Sequence, residues 1–224
     1  QLKEYETPKE IFSDYAYFSS YSATWLNHAK EYVNTMINRF NLQENNTVVE
    51  IASNDGYLLQ YFQEKKIKNY GIDPAENVAE VAKQKGIKTV CDFFGERLAD
   101  RLANEGEKAD LLLGNNVLAH VPNINDFVKG LNILIKDDGV ITMEFPHLLN
   151  LIDKNQFDTI YHEHFSYLSL ITVKEIFESH GLRIFDVQEL NTHGGSLRIF
   201  ECKNDCNKKK KKKNVEILIN KEIE

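Results

Sequence analysis

Short β-branched or aliphatic runs alternate with stretches of helical periodicity from residue 47 to residue 145, and no other feature narrows the possible folds as much. Thr47 to Ala52 reads as a strand and Gly56 to Lys66 as the helix after it. Tyr70-Gly71-Ile72-Asp73 ends a second strand, punctuated by Pro74; Glu76 to Lys85 is a helix and Lys88 to Cys91 a third strand. Glu96 to Glu105 is a helix and Ala109 to Gly114 a fourth strand. Asn125 to Ile135 is a helix closed by the turn Asp137-Asp138-Gly139, and Val140 to Phe145 is a fifth strand. Strands separated by helices of this length require a parallel sheet covered on both faces, which places the chain in the α/β class with a Rossmann-like arrangement.

The flanks are less regular. Leu26, Val33, Met36, Ile37 and Phe40 recur at helical spacing and predict a helix over 23–40, preceded by a polar, aromatic lead-in. Pro146 to Leu170 is long and has no clear period, as expected of a functional or inserted loop. Thr172 to His180 is a helix ended by Gly181. Leu182 to Leu190 and Ser196 to Cys202 form a strand pair around Gly194-Gly195. The Lys/Asn-rich stretch from Lys203 to Asn214 reads as a solvated, flexible linker, and Val215 to Glu224 as the start of a helix whose partner is missing. The expected division is a lead-in over 1–46, a core domain over 47–203 and a tail over 204–224.

A net charge of −7 argues against a nucleic-acid backbone as partner, with Lys208 to Lys213 the one concentration of positive charge. Three cysteines (Cys91, Cys202, Cys206) suit neither a disulfide framework nor a four-cysteine zinc site. No apolar run approaches the roughly 20 residues that span a bilayer, and no signal peptide is visible, so a cytoplasmic location without a membrane partner is expected. The oligomeric state is not legible. A chain that opens on Gln1 is expected to be a piece or a processed form.

Ligands of open α/β sheets bind beyond the carboxyl ends of the strands. The first end reads Glu50-Ile51-Ala52-Ser53-Asn54-Asp55-Gly56: an acidic strand end, then a loop whose Gly56 lets backbone approach a ligand closely. With one glycine it is not the three-glycine dinucleotide fingerprint. Asp73, followed by Pro74, can accept two ribose hydroxyls, although Asp-Pro is also an ordinary turn. Asp92 with Phe93 and Phe94 can meet the amino edge and the face of a purine; an N-cap and two core aromatics are the plain alternatives. Asn115-Asn116-Val117-Leu118-Ala119-His120-Val121-Pro122 follows the fourth strand. These four ends in order, together with a closing antiparallel pair, resemble class I methyltransferases. That resemblance implies S-adenosylmethionine as cofactor and S-adenosylhomocysteine as product.

The long loop holds Tyr161-His162-Glu163-His164-Phe165-Ser166-Tyr167, dense in groups that move protons or donate hydrogen bonds. His162 and His164 flanking Glu163 lack a third ligand and the H-E-x-x-H spacing, so no metal is expected. A polar structural loop is the remaining alternative. Together with 12–22 (FSDYAYFSSYS) and Thr192-His193-Gly194-Gly195-Ser196-Leu197-Arg198, the loop resembles the sugar C-methyltransferases, which methylate the carbon beside the ketone of a nucleotide-linked 4-keto-deoxysugar. The resemblance implies His164 as catalytic base, Tyr161 and Glu163 as its assistants, and Tyr15 and His120 as further lining of that site. It also implies a nucleotide-linked sugar as substrate. Members carry an N-terminal Cys-rich zinc module and a further C-terminal domain; neither is recognisable here, as in a catalytic core or a reduced relative. Two other readings stand beside this one: a small-molecule O- or N-methyltransferase, and a non-catalytic cofactor-binding module.

Overall fold

The computed structural model describes residues 7–13 and 15–224; Asp14, part of the quoted 12–22 motif, lies outside them, as does the start of the lead-in. The β-branched runs become strands β1 (Thr47–Ile51), β2 (Lys68–Ile72), β3 (Thr89–Val90), β4 (Ala109–Asn115) and β5 (Ile135–Pro146), followed by β6 (Leu182–Leu190) and β7 (Ser196–Lys203). They form one seven-stranded sheet in the order β3-β2-β1-β4-β5-β7-β6. The first five are parallel, and β7 inserts antiparallel between β5 and β6. This is the expected Rossmann-like sheet with its closing antiparallel pair.

Strand alternation sorts side chains into two cores. Val48, Leu111, Leu113, Phe200 and Cys202 face one side, covered by α2 (Ala23–Phe40) through Tyr32, Val33 and Met36 and by α3 (Leu59–Glu64) through Phe62. Val49, Ile51, Leu112, Ile141 and Ile199 face the other, beneath α5 (Glu96–Asn104), α6 (Ile124–Leu134) and α8 (Leu170–Ser179). The remaining helices are α1 (Pro8–Phe12), α4 (Glu76–Gln84), α7 (Leu148–Asp153) and α9 (Lys213–Ile223). α2 has the bounds its periodicity predicts: Ser22 Oγ accepts from Trp25 N at its start, and Asn41 turns left-handed (φ 50°) at its end. No helix among the described residues is long and apolar enough to cross a membrane.

Three expectations differ from the structure. The helix after β1 starts at Leu59 instead of Gly56, because Ala52, Asn54 and Gly56 all take positive φ (57°, 50° and 76°) and the chain cannot turn helical until it leaves that loop. The turn at Asp137–Gly139 is absorbed into β5: pairing to β4 steps from Ala109↔Ile135 to Leu111↔Val140, so the extra residues bulge out of the ladder. The lysine run is mostly exposed, but its backbone is tied to the rest of the fold. Arg183 donates to the carbonyls of Cys206 and Lys209, Lys212 N donates to Phe185 O at 2.8 Å, and Val215 and Leu218 of α9 join the core. The partner for that last helix is thus β6 and α8 of the same chain, supplied by two apolar residues and backbone carbonyls that a lysine-rich run conceals.

Two strained points yield tests. Left-handed backbone at an alanine costs about 1 kcal/mol or more, so Ala52→Gly is expected to be neutral or stabilising by up to about 1 kcal/mol and Ala52→Val to destabilise by more than about 1 kcal/mol, read by thermal or urea unfolding. Glu201 on β7 is fully buried with neither carboxylate oxygen hydrogen-bonded, and burial raises its pKa well above the usual 4.5. A group whose pKa is raised by folding supports the fold at low pH and loses that support as pH climbs past 4.5. Glu201→Met is therefore expected to stabilise by about 1–3 kcal/mol near neutrality, with the gain shrinking towards pH 4 in the same unfolding series.

Candidate active site

Because helices seal both faces of the sheet, polar groups gather at the carboxyl edge. There a cavity of about 980 Å³ opens over the ends of β1, β2 and β4. Ala52 and Asn54 after β1, Asp73 and Pro74 after β2, Asp92, Phe93 and Phe94 after β3, and Asn115 and Asn116 after β4 all line it. So do Tyr15, His120, Tyr161, Glu163 and His164. Residues spread over roughly 150 positions of sequence therefore share the wall of one cavity.

Some expected cofactor residues do not reach that wall: Glu50, Ser53, Asp55 and Gly56 sit behind it. Gly56 has left-handed backbone (φ 76°), and a Cβ there would lie 2.4 Å from Ile87 Cδ1, so conformation and packing both favour glycine. Asp55 is drawn away from the cavity by Ser20 Oγ and by Lys85 Nζ, 3.1 Å from its carboxylate. Glu50 is fully buried beneath the loop, without a hydrogen-bond partner on either oxygen, and burial raises its pKa well above the usual 4.5, with Asp73 adding to the rise.

The wall has polar capacity to spare. Both side-chain polar atoms of Asn115 and Oδ1 of Asn116 are buried without a partner. Buried polar atoms without partners are uncommon, and several at one mouth mark a place where a polar ligand completes them. Asp73 accepts one backbone N–H on each oxygen, from Asn54 at 2.8 Å and Ala75 at 3.0 Å, which fixes the carboxylate and leaves each oxygen a further lone pair. Burial raises its pKa, and those two N–H groups pull it back. Asp92 is held by Phe93 N and by Arg97 at 2.9 Å. Phe93 is exposed to the cavity, whereas Phe94 packs edge-on against Phe127. These residues fit an adenosyl group: a carboxylate for ribose hydroxyls, an exposed aromatic for a purine face, and free amides beyond.

Another stretch of that wall is aromatic and imidazole-rich. Phe165 N and Ser166 N both donate to Ala119 O, which pins the loop from Tyr161 to Tyr167 onto the turn after β4. His164 Nδ1 lies 2.9 Å from Thr159 O, an acceptor only, so Nδ1 carries the proton and Nε2 keeps its lone pair. His120 Nδ1 is set likewise by Glu163 O at 2.9 Å. The two imidazoles stand 4.8 Å apart, and Tyr161 lies 4.2 Å from His164, centroid to centroid. Burial lowers the pKa of both histidines, His120 to about 4. Burial, with Glu163 nearby, pushes Tyr15 up to about 12 and also raises Tyr161, so both phenols stay protonated donors. His162 is exposed and off the wall. No group of three metal-ligating side chains occurs among the described residues.

Trp25, Tyr57 and His193 were not singled out from sequence, yet all line the cavity. Trp25 stacks on His28 at 4.9 Å and meets the His193 ring edge-on at 5.3 Å. His193 has left-handed backbone (φ 48°), a conformation that non-glycine residues rarely hold. Behind them, His28 and Arg198 converge on the buried Glu144 carboxylate, at 2.9 Å and 2.7 Å. The turn from Thr192 to Arg198 was the one sequence signal for His193; the pairing of His28 with Glu144 joins residues 116 apart and left none.

Comparison with known proteins agrees with this geometry. Residues 25–187 match the family model described as "Methyltransferase domain". Over 199 residues, 89% of this chain and 47% of the relative, the sequence is 37% identical to C-methyltransferase NovU of Streptomyces niveus. The chain spans less than half the length of the curated relatives it matches. An S-adenosylmethionine-dependent methyltransferase from Clostridium acetobutylicum superposes with a TM-score of 0.62 at 12% identity, over 79% of this chain and 91% of that one. Magnesium protoporphyrin IX methyltransferase from Synechocystis, in a structure with bound S-adenosylhomocysteine, gives 0.60 at 16% identity, over 80% and 83%. Sheet order, a polar cavity at its carboxyl edge and a family match over most of the sequence converge: the chain belongs to the methyltransferase domain family and has the class I, S-adenosylmethionine-dependent fold.

Proposed function

We propose that this chain transfers the methyl group of S-adenosylmethionine to the carbon beside the ketone of a nucleotide-linked keto-deoxysugar. The observation that carries the proposal is the neutral His164 imidazole, with Nδ1 tied to Thr159 O and Nε2 left as a base, on the same cavity as Asp73 and Asn115. The 37% identity to a C-methyltransferase supports carbon as the atom methylated. The motifs at 161–167 and 192–198 support a nucleotide-linked sugar as the acceptor.

Carbon is a poor nucleophile until the proton beside the carbonyl is removed. In this reading Nε2 of His164 takes that proton, and the C–H electron pair delocalises into the carbonyl as an enolate. A protonated phenol, Tyr15 or Tyr161, donates to the developing oxyanion. Glu163, on the same wall, orients the acceptor. S-adenosylmethionine, when bound, would supply an electrophilic sulfonium methyl for the new C–C bond, with S-adenosylhomocysteine as the product. Asp73 would hold its ribose, Phe93 its purine, and Asn54, Asn115 and Asn116 its remaining polar edge. Trp25, Tyr57 and His193 wall off the far side from water.

Two measurements test the assignment. Incubated with the keto-sugar and S-adenosylhomocysteine in deuterated solvent, the chain should exchange the hydrogen beside the ketone, and His164→Ala should lose that exchange and about 10²-fold or more in kcat. Turnover that survives His164→Ala without any deuterium in the sugar would instead mark methylation of oxygen or nitrogen. Because burial holds the His164 pKa below the usual 6.5, the base stays unprotonated through neutrality. The acidic limb of kcat against pH should therefore lie below 6.5 and shift or vanish in the His164 variant.

A further inference from the structure

The segment from His147 to Ser169 carries Tyr161, Glu163 and His164, but little of it is regular: α7 and a single turn at Phe157–Thr159. The bonds to Ala119 O hold its middle, and what fixes its ends completes the positioning of Nε2 on His164. Both ends meet at one carboxylate. Glu222, on the last turns of α9, lies 2.6 Å from Nε2 of His147 at the start of the segment. The same carboxylate accepts from Leu170 N at 2.6 Å and Ile171 N at 2.9 Å, just past its end. Side-chain exposure is 0% for His147 and 3% for Glu222, so water does not compete.

Both ring nitrogens of His147 are used: Nε2 meets Glu222, and Nδ1 lies 3.3 Å from Asn150 Nδ2. His147 N donates to Gly195 O and Leu148 N to Leu168 O, which brings the two ends of the segment side by side. At the other end Leu170 and Ile171 open α8, whose first N–H groups have no partner within the helix. Glu222 satisfies two of them and places a negative charge at the positive end of the helix, while Ser169 Oγ serves Thr172 N.

We infer that Glu222 is a positioning residue for the loop bearing His164: one buried carboxylate on the C-terminal helix clamps the loop's two ends and so holds the imidazole at the cavity. The consequence for turnover rests on the function proposed above; the clamp itself does not. It gives the helix after the lysine run a role in the chemistry, although α9 does not touch the cavity.

The test compares the whole chain with Glu222→Ala and Glu222→Gln by amide hydrogen exchange, S-adenosylhomocysteine titration and turnover. In Glu222→Ala, exchange across residues 157–168 should rise about tenfold or more while β1 and β4 change less than about twofold. Glu222→Gln, which keeps one acceptor oxygen, should fall between. Affinity for S-adenosylhomocysteine should stay within about twofold, and kcat should drop about 10- to 100-fold with KM for the methyl donor unchanged. Unchanged exchange at 157–168 overturns the inference, and so does an equal rise over β1 and β4, which would make Glu222 a general stability contact. If Glu222→Ala does not fold, Glu222→Gln is read by the same criteria. Should the wild-type chain methylate no keto-sugar, the proposed acceptor fails, and the exchange and titration arms still decide the clamp.

Discussion

Two hydrophobic cores cover the two faces of one sheet, and every other property of the molecule follows from that closure. Val48, Leu111 and Leu113 point to one core and Val49, Leu112 and Ile141 to the other, so the central strands have no polar face to offer. Apart from buried groups such as Glu201 and the Glu144–Arg198 pair, polar side chains gather at the strand ends. At the carboxyl ends the chain leaves β1, β2 and β4 through loops whose donors and acceptors are not used by the ladder, and the cavity opens there.

The cost of that arrangement is visible in the buried polar atoms at the edge. Glu50 and Asn115 are desolvated with side-chain atoms short of hydrogen-bond partners, and Ala52 holds left-handed backbone that its Cβ disfavours. A loop with one glycine thus follows a path that glycine would take more cheaply. Strain and unsatisfied groups kept together at one mouth are what a site that binds a polar ligand looks like before the ligand is counted. On the imidazole-rich stretch of the wall the logic differs. Burial keeps imidazoles neutral and phenols protonated, so bases and donors coexist a few ångströms apart without exchanging their roles.

Much of this was legible in the residues. The strand–helix rhythm from Thr47 to Phe145 gave the sheet, because a period near two and a period near 3.6 are local properties of a chain. Asp73, Asp92 and Asn115 were readable as site residues because strand ends in a parallel sheet necessarily share one edge. The cluster at 161–167 declared itself by density alone. Less legible was the exact path of the first loop: Asp55 and Gly56 lie off the cavity lining, beside Lys85 and Ile87.

The tail marks the boundary most clearly. Its lysines gave a composition that suits a solvated linker, and composition is all that a low-complexity run offers. Whether such a run docks depends on acceptors and apolar surface contributed from elsewhere, here Arg183, β6 and α8. The sequence alone determined the fold class and the sheet edge at which the candidate residues gather, since both follow from local periodicity. Only the tertiary structure decided that Trp25 and His193 complete the wall, that Glu144 gathers His28 and Arg198, and that Glu222 reaches His147 across 75 residues. Those contacts join distant parts of the chain through single side chains, and no periodicity announces a pairing made only once.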